Sequence, residues 1–244
     1  MASPISIFGH RGSPGTHPEN TLISFQAAHK AGAQGIELDV QLTRDGIPVV
    51  IHDERVDRTT NGIGWVKDFQ YEEIIRLDAG QSFSSRFQGT RIPRLEDVLI
   101  WLSSTNLIVN IELKTGYFVY PGIEEKVIAL LTNYQMRDRC IISSFNHYSV
   151  QRTIQRDSQI ETAILLMEKL VDPWEYVKKI GAHGIHIEWQ AVDEHLLKNT
   201  KFHSIPVRVF TVNDNTQIAA FKKMGCKAIF TDFPGPACTI NYSV

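Results

Sequence analysis

What most constrains this chain is a rhythm: eight short runs rich in β-branched and apolar residues, with stretches between them whose apolar positions recur every three or four residues. The runs are Ser6 to His10, Gly35 to Asp39, Leu107 to Lys114, Cys140 to Phe145, Glu161 to Leu166, Gly184 to Trp189, Val207 to Val212 and Ala228 to Asp232. Helical faces are marked by Leu22, Phe25 and Ala28, by Ile123, Val127, Leu130 and Leu131, and by Ile218, Phe221 and Met224. Gly32 and Gly225 stand where two of these helices should stop. A strand reaches a parallel neighbour only through a crossover long enough to hold a helix, so this alternation builds a parallel sheet. Eight such units in 244 residues predict an α/β chain folded as one (β/α)8 TIM barrel domain over 1–244. The residues after the last run leave room for a short eighth helix or none.

One stretch breaks the rhythm. Val40 to Thr43 and Pro48 to His52 are both strand-like, with only Arg44-Asp45-Gly46-Ile47 between them. Asp-Gly between two such runs is a two-residue hairpin signal, so the second strand should fold back on itself antiparallel. A loop of Asp45 and Gly46 pairs Arg44 with Ile47 and, counting outward, Asp39 with His52. Opposed residues have Cβ atoms about 4.5–5.5 Å apart, which would bring the histidine beside the carboxylate. The segment after the hairpin, about 53–93, is rich in Gly, Ser, Thr and Arg and reads as a small insertion over the barrel mouth, followed by a helix from Leu95 to Ser104.

Charge and composition exclude several classes of function. A formal net charge of -2 provides no basic field for nucleic acid or an anionic membrane surface. Cys140, Cys226 and Cys238 are widely spaced and odd in number, which signals neither a disulfide framework nor a zinc site. Met1 to His10 lacks a basic start and a long apolar stretch, and no apolar run approaches the roughly 20 residues of a membrane helix. The expectation is a cytoplasmic protein without stable membrane insertion, acting on a small molecule. The sequence does not specify an oligomeric state.

Chemistry concentrates at the predicted strand ends. Alternation puts Glu37 and Asp39 on one face of a strand, and Glu112 and Lys114 on one face of the next parallel strand. Carboxylates turned into a barrel are costly unless paired or liganding a cation. Three hard oxygen ligands favour one divalent cation, Mg²⁺ or Ca²⁺, over zinc. The alternative is that these charges face solvent or pair with Lys114 and Arg44. His10 and His52 each end a strand at the rim where barrel enzymes keep catalytic groups, and two imidazoles can accept and donate protons near neutrality. Capping of a hydrogen-bond network is the plainer use for either. Arg11 and Lys114 offer a planar fork and a point charge for phosphate. Counting the three carboxylates, the metal and these two cations leaves a small positive excess that suits an anionic substrate. Phe145, Trp189 and Phe210 are candidates to line the mouth. His183 and His186 are spaced like some metal ligands, but the strand start between them argues against a second metal site. Ser143-Ser144 lacks the GxSxG elbow of serine hydrolases.

Together, His10-Arg11-Gly12, Pro18-Glu19-Asn20-Thr21, Glu37-Leu38-Asp39-Val40, Thr43-Arg44-Asp45-Gly46, His52-Asp53, Arg58-Thr59-Thr60 and Ile111-Glu112-Leu113-Lys114 closely resemble the glycerophosphodiester phosphodiesterase family. Ser143-Ser144-Phe145 and Thr231-Asp232-Phe233-Pro234 carry the likeness across nearly the whole chain. The resemblance implies a (β/α)8 barrel that hydrolyses glycerophosphodiesters to sn-glycerol 3-phosphate and an alcohol. It implies His10 and His52 as the acid/base pair, Glu37, Asp39 and Glu112 as metal ligands, and Arg11 and Lys114 as contacts to the substrate phosphate. The family often carries Trp where this chain has Phe210, so that wall of the pocket differs. The brevity of the insertion resembles the compact bacterial type and leaves the headgroup open, including lipid diesters. A non-catalytic glycerophosphodiester-binding barrel is the reading from another class, and the intact histidine pair speaks against it.

Overall fold

A computed structural model of the chain describes residues 5–242; Met1 to Pro4, where the stretch read for a leader begins, lie outside them. Eight parallel strands close into a barrel: β1 (Ser6–Gly9), β2 (Gly35–Leu42), β4 (Ile108–Leu113), β5 (Cys140–Ser144), β6 (Glu161–Leu166), β7 (Gly184–Glu188), β8 (Val207–Phe210) and β9 (Ala228–Thr231). Closure comes from β1, which pairs with β9 on one side and with β2 on the other. Helices fill the crossovers: α1 (Leu22–Lys30), then, after a short α2 (Tyr71–Ile74), α3 (Leu95–Ser103), α4 (Ile123–Asn133), α5 (His147–Arg156), α6 (Pro173–Ile180), α7 (Glu194–Phe202), α8 (Asn215–Met224) and α9 (Pro234–Tyr242). The expected strands are all present, each within a few residues of its predicted ends, but the eighth helix, α9, is as long as α1 and not the short one expected, because it starts three residues after β9.

The physical reason for closure is legible along β2, where every residue is buried. Ile36, Leu38, Val40 and Leu42 point outward into the layer between strands and helices, packing with Leu99 and Leu102 of α3 and Val127 and Leu131 of α4. A second cluster seals the opposite half through Ile185, Ile187, Val207 and Val209 against Val177, Leu197 and Ile218. The alternate residues face the lumen, which is plugged midway by Phe8, Ile141, Ala163, Ala228 and Phe230. Phe8 and Phe230 meet edge to face at 5.4 Å. Burying such rings contributes roughly 1.5–3 kcal/mol each. Above this plug the inward positions turn polar, and the site begins there.

The hairpin exists, but its register differs by one from the expected pairing. Strand β3 (Pro48–Val50) runs antiparallel to β2 with Val40 opposite Val50, Gln41 opposite Val49 and Leu42 opposite Pro48. The loop has three residues, Arg44, Asp45 and Gly46, because Thr43 N–H donates to Ile47 O at 3.1 Å and Gly46 N–H to Thr43 O at 2.9 Å. Gly46 adopts φ +75°, the left-handed position that such a three-residue turn needs. The Thr43 hydroxyl reinforces it, donating to Asp45 Oδ1 at 2.6 Å and accepting from Ile47 N at 3.0 Å. Asp39 therefore faces Ile51, whose N–H donates to its carbonyl at 3.0 Å, and not His52. Between the hairpin and α3, the inserted residues carry Val56, Val66, Ile74 and Ala79 into their own cluster with Val49 and Ile51 of the hairpin.

Candidate active site

The first loop is built to turn sharply over the barrel. Gly12 N–H donates back to Gly9 O at 3.1 Å, and Gly12 holds φ +94°. A Cβ there would lie 2.4 Å from Ser24 Oγ of α1, so no larger residue fits. This turn leaves Arg11 at φ +50°, uncommon outside glycine, with its N–H donating to Glu37 Oε2 at 2.8 Å. The strained residue thus ties β1 to the acidic end of β2.

Parallel register sets Asp39 beside Glu112 and Glu37 beside Asn110 across β2 and β4. One ligand oxygen from each of Glu37, Asp39 and Glu112 lies within 4.8 Å of the others. Burial raises the carboxyl of Glu37 well above its ordinary range, helped by Asp39 and Glu112. Burial likewise raises Glu112, helped by Asp39. Burial acts the same way on Asp39, but His52, Lys114 and Arg11 overcome it and hold Asp39 below its ordinary value. Two carboxyls raised by burial and by their acidic neighbours, beside a third that stays ionised, form a place that a cation would relieve. Asp39 Oδ1 is buried without a hydrogen-bond partner, and Lys114 Nζ is 3.8 Å from it. An orphaned hard oxygen beside two others fits a divalent cation.

The two histidines flank this cluster. His10 Nδ1 is 2.7 Å from Asp232 Oδ1 and His52 Nδ1 is 2.6 Å from Asp53 Oδ1. A carboxylate only accepts, so each Nδ1 carries the hydrogen and each Nε2 is left for chemistry. His52 Nε2 lies 3.3 Å from Lys114 Nζ, which also donates to Glu112 Oε1 at 3.0 Å. Burial opposes the charge on Lys114, but Glu112 and Asp39 outweigh it and raise its pKa. Arg11 is raised despite burial by Asp39, Glu19 and Glu37. The Arg11 guanidinium donates to Glu19 at 2.9 Å and stands 3.6 Å from Asp39. His10, Arg11, Glu37, His52, Glu112 and Phe210 all line one cavity of about 380 Å³, with Phe145 and Trp189 on its far wall. The structure therefore gathers the expected residues, with Asp39 and Lys114 bonded just behind the lining.

Several residues were not singled out individually from sequence. Asn20 Nδ2 donates to Asp39 Oδ2 at 2.8 Å. Glu19 accepts from Arg11 and also from both Arg58 terminal nitrogens, at 2.8 Å each. Arg58 closes the circle by donating to Asp53 at 2.7 and 3.0 Å, and its bonds hold the Asp53 carboxyl far below its ordinary range. Asn213 holds Asp232 at 2.6 Å. For Glu19, Asn20, Asp53, Arg58 and Asp232 the only sequence signal is membership of the motifs that carry the family resemblance, and Asn213 lies outside them. With Glu19, Asp53, Asp232 and Glu188 present and only Arg58 added, the positive excess read from sequence disappears. His183 and His186 do not meet: the former bonds Thr162, while the latter is buried in the lumen.

Comparison with known proteins places the chain in a family. Residues 10–236 match the glycerophosphoryl diester phosphodiesterase family. The chain belongs to this family, whose members are phosphoric diester hydrolases. A glycerophosphodiester phosphodiesterase of Bacillus altitudinis is 44% identical over 238 residues, covering 96% of this chain and 97% of that protein. Another, from Caldanaerobacter subterraneus subsp. tengcongensis, is 42% identical over 228 residues, covering 93% and 94%. A phosphodiesterase of Oleispira antarctica, solved with its product sn-glycerol-3-phosphate, superposes with a TM-score of 0.86 at 28% identity over 97% of this chain and 96% of that one. Among the described residues no helix is long and apolar enough to cross a membrane.

Proposed function

We propose that this protein hydrolyses glycerophosphodiesters to sn-glycerol 3-phosphate and an alcohol, using a divalent cation and a two-histidine acid/base pair. The observation that carries the reading is that the Glu37, Asp39 and Glu112 cluster borders, through Glu37 and Glu112, the same cavity that His10 and His52 line. Those three carboxylates would hold Mg²⁺ or Ca²⁺, and a bound cation supplies polarisation of a phosphoryl oxygen and an anchor for the glycerol moiety. Arg11 and Lys114 face the same place with cationic donors suited to the phosphate. One histidine Nε2 takes a proton as the attacking oxygen bonds to phosphorus; that oxygen belongs either to water, which gives glycerol 3-phosphate directly, or to the substrate's own 2-hydroxyl, in which case water then opens the cyclic phosphate. The other gives a proton to the alcohol oxygen as its bond to phosphorus breaks. Asp53 and Asp232 keep both imidazoles oriented for these transfers. Lys114, within reach of His52, Glu112 and Asp39, couples the proton-transfer side of the site to the carboxylate cluster.

The test is release of glycerol 3-phosphate from a headgroup panel that includes lysophosphatidylcholine, with Mg²⁺, Ca²⁺ or excess chelator. Turnover should disappear in chelator and return with a hard divalent cation, because the buried carboxylates otherwise repel one another and the phosphate. Full turnover by protein shown to be free of metal would refute the cation's part.

A further inference from the structure

The cavity has two unlike halves. The ends of β1, β2 and β4 supply the histidines, carboxylates and cations just described, whereas the β5 to β8 side supplies Phe145, Leu165, Met167, Trp189 and Phe210, with Thr211 and the buried His186 between them. Phe145 and Phe210 meet edge to face at 6.1 Å. Among these apolar groups stands one charge, Glu188, at the end of β7. Alternation along the strand puts it on the same inward face as His186, and it sits opposite Phe210 in the β7–β8 register. One of its oxygens accepts from Gln190 N at 2.6 Å, and among the described residues no ion-pair partner is recorded for it. The cations of the polar half contact other carboxylates and not Glu188: Arg11 donates to Glu19, Arg58 to Glu19 and Asp53, and Lys114 to Glu112.

We infer that the β5–β8 half seats the leaving alcohol and that Glu188, with the rings of Phe145, Trp189 and Phe210, selects diesters whose alcohol ends in a quaternary ammonium, such as choline. The inference rests on the phosphodiesterase reading above. Glycerol hydroxyls need polar partners, so the glycerol belongs to the polar half and the other substituent to the apolar one. A cation there neutralises Glu188 and lies against ring faces. A primary ammonium would bring three N–H donors to a wall whose side-chain acceptors are Glu188 and the Thr211 hydroxyl, the His186 nitrogens being buried, while a trimethylammonium has none to satisfy.

The experiment compares kcat/KM for three glycerophosphodiesters at fixed ionic strength: the choline ester, the ethanolamine ester, and the 3,3-dimethylbutyl ester, which replaces the nitrogen with carbon and keeps the shape. The choline ester should exceed the neutral isostere by about tenfold or more and should also exceed the ethanolamine ester. In Glu188→Gln the choline-to-isostere ratio should collapse towards one, with the larger loss on the choline ester. Isothermal titration with free choline and 3,3-dimethylbutanol should show the same discrimination in binding alone. Equal rates on the first and third esters, preference for ethanolamine, or an undiminished ratio in Glu188→Gln would each overturn the inference while leaving phosphodiester hydrolysis intact. Release of glycerol 3-phosphate from none of the three would remove the phosphodiesterase reading, and this inference with it.

Discussion

A histidine does useful proton chemistry only when its tautomer is fixed, and here each of two has its own carboxylate for that purpose. His10 leans on Asp232, from the far end of the chain, and His52 on its neighbour Asp53. His10→Ala and His52→Ala should each lower kcat about 10²- to 10⁴-fold, the range for a lost general acid or base, while cation affinity changes little. Glu112→Ala should show the opposite emphasis, with weakened cation binding measured by equilibrium dialysis. Near-normal kcat in both histidine variants would require another proton pathway. The primary residues were legible because charged and imidazole side chains at strand ends have few cheap structural uses. Their partners were not, since nothing in isolated spacing says that Asn20 reaches Asp39 or that Arg58 clamps Glu19 to Asp53. Those contacts depend on where two loops meet over the barrel.

At the scale of elements, the hairpin shows how position can survive an altered register. Pairing His52 with Asp39 depended on a two-residue loop, and the three-residue turn at Gly46 moves every partner by one. His52 escapes the consequence because β3 ends at Val50, before the histidine. Gln41 then replaces the ladder: its Nε2 donates to the carbonyls of Ile51, His52 and Asp53 at 3.2, 3.0 and 2.7 Å. Its Oε1 accepts from the Tyr120 hydroxyl at 2.9 Å, so the fully buried amide has partners at both ends. Gln41 shares the inward face of β2 with Glu37 and Asp39, and nothing in its spacing says that one side chain would reach three successive carbonyls. Gln41→Leu leaves those carbonyls and the tyrosine unpaired. Buried groups without partners cost about 1–3 kcal/mol each, so local loosening of the His52 segment is expected. The expected outcome is a tenfold or greater fall in kcat, with cation affinity near that of the parent and faster amide hydrogen exchange at 51–53. Unchanged exchange together with unchanged kcat would show that Pro93 and Arg94, which border β3 on its other side, suffice to hold the segment.

Taken as a whole, the molecule separates a packed lower barrel from a polar mouth, and His186 sits at the boundary. It lies against Phe230 at 5.0 Å between ring centres, fully buried, and neither ring nitrogen has a hydrogen-bond partner. Burial, and then Arg208, push its pKa well below the usual histidine value, so it stays neutral in the fold. The unfolded chain has no such restraint and takes a proton near pH 6.5. Below that pH the unfolded state binds a proton that the native state refuses, so stability is full above about 6.5 and falls as the pH drops. The loss approaches about 1.4 kcal/mol per pH unit for one proton. Glu37 and Glu112 work in the other direction, since the raised carboxyls of the cation-free protein hold protons that the unfolded chain would release. A difference measurement cancels them. His186→Leu keeps a similar volume, removes the titrating group and spares the carboxylates. Urea unfolding of both proteins at pH 7.5 and 5.5 in the same buffer should show the parent losing about 1.4 kcal/mol more than the variant on acidification. Parallel losses would mean that the imidazole accepts its proton inside the barrel, with Arg208 moving aside to allow it.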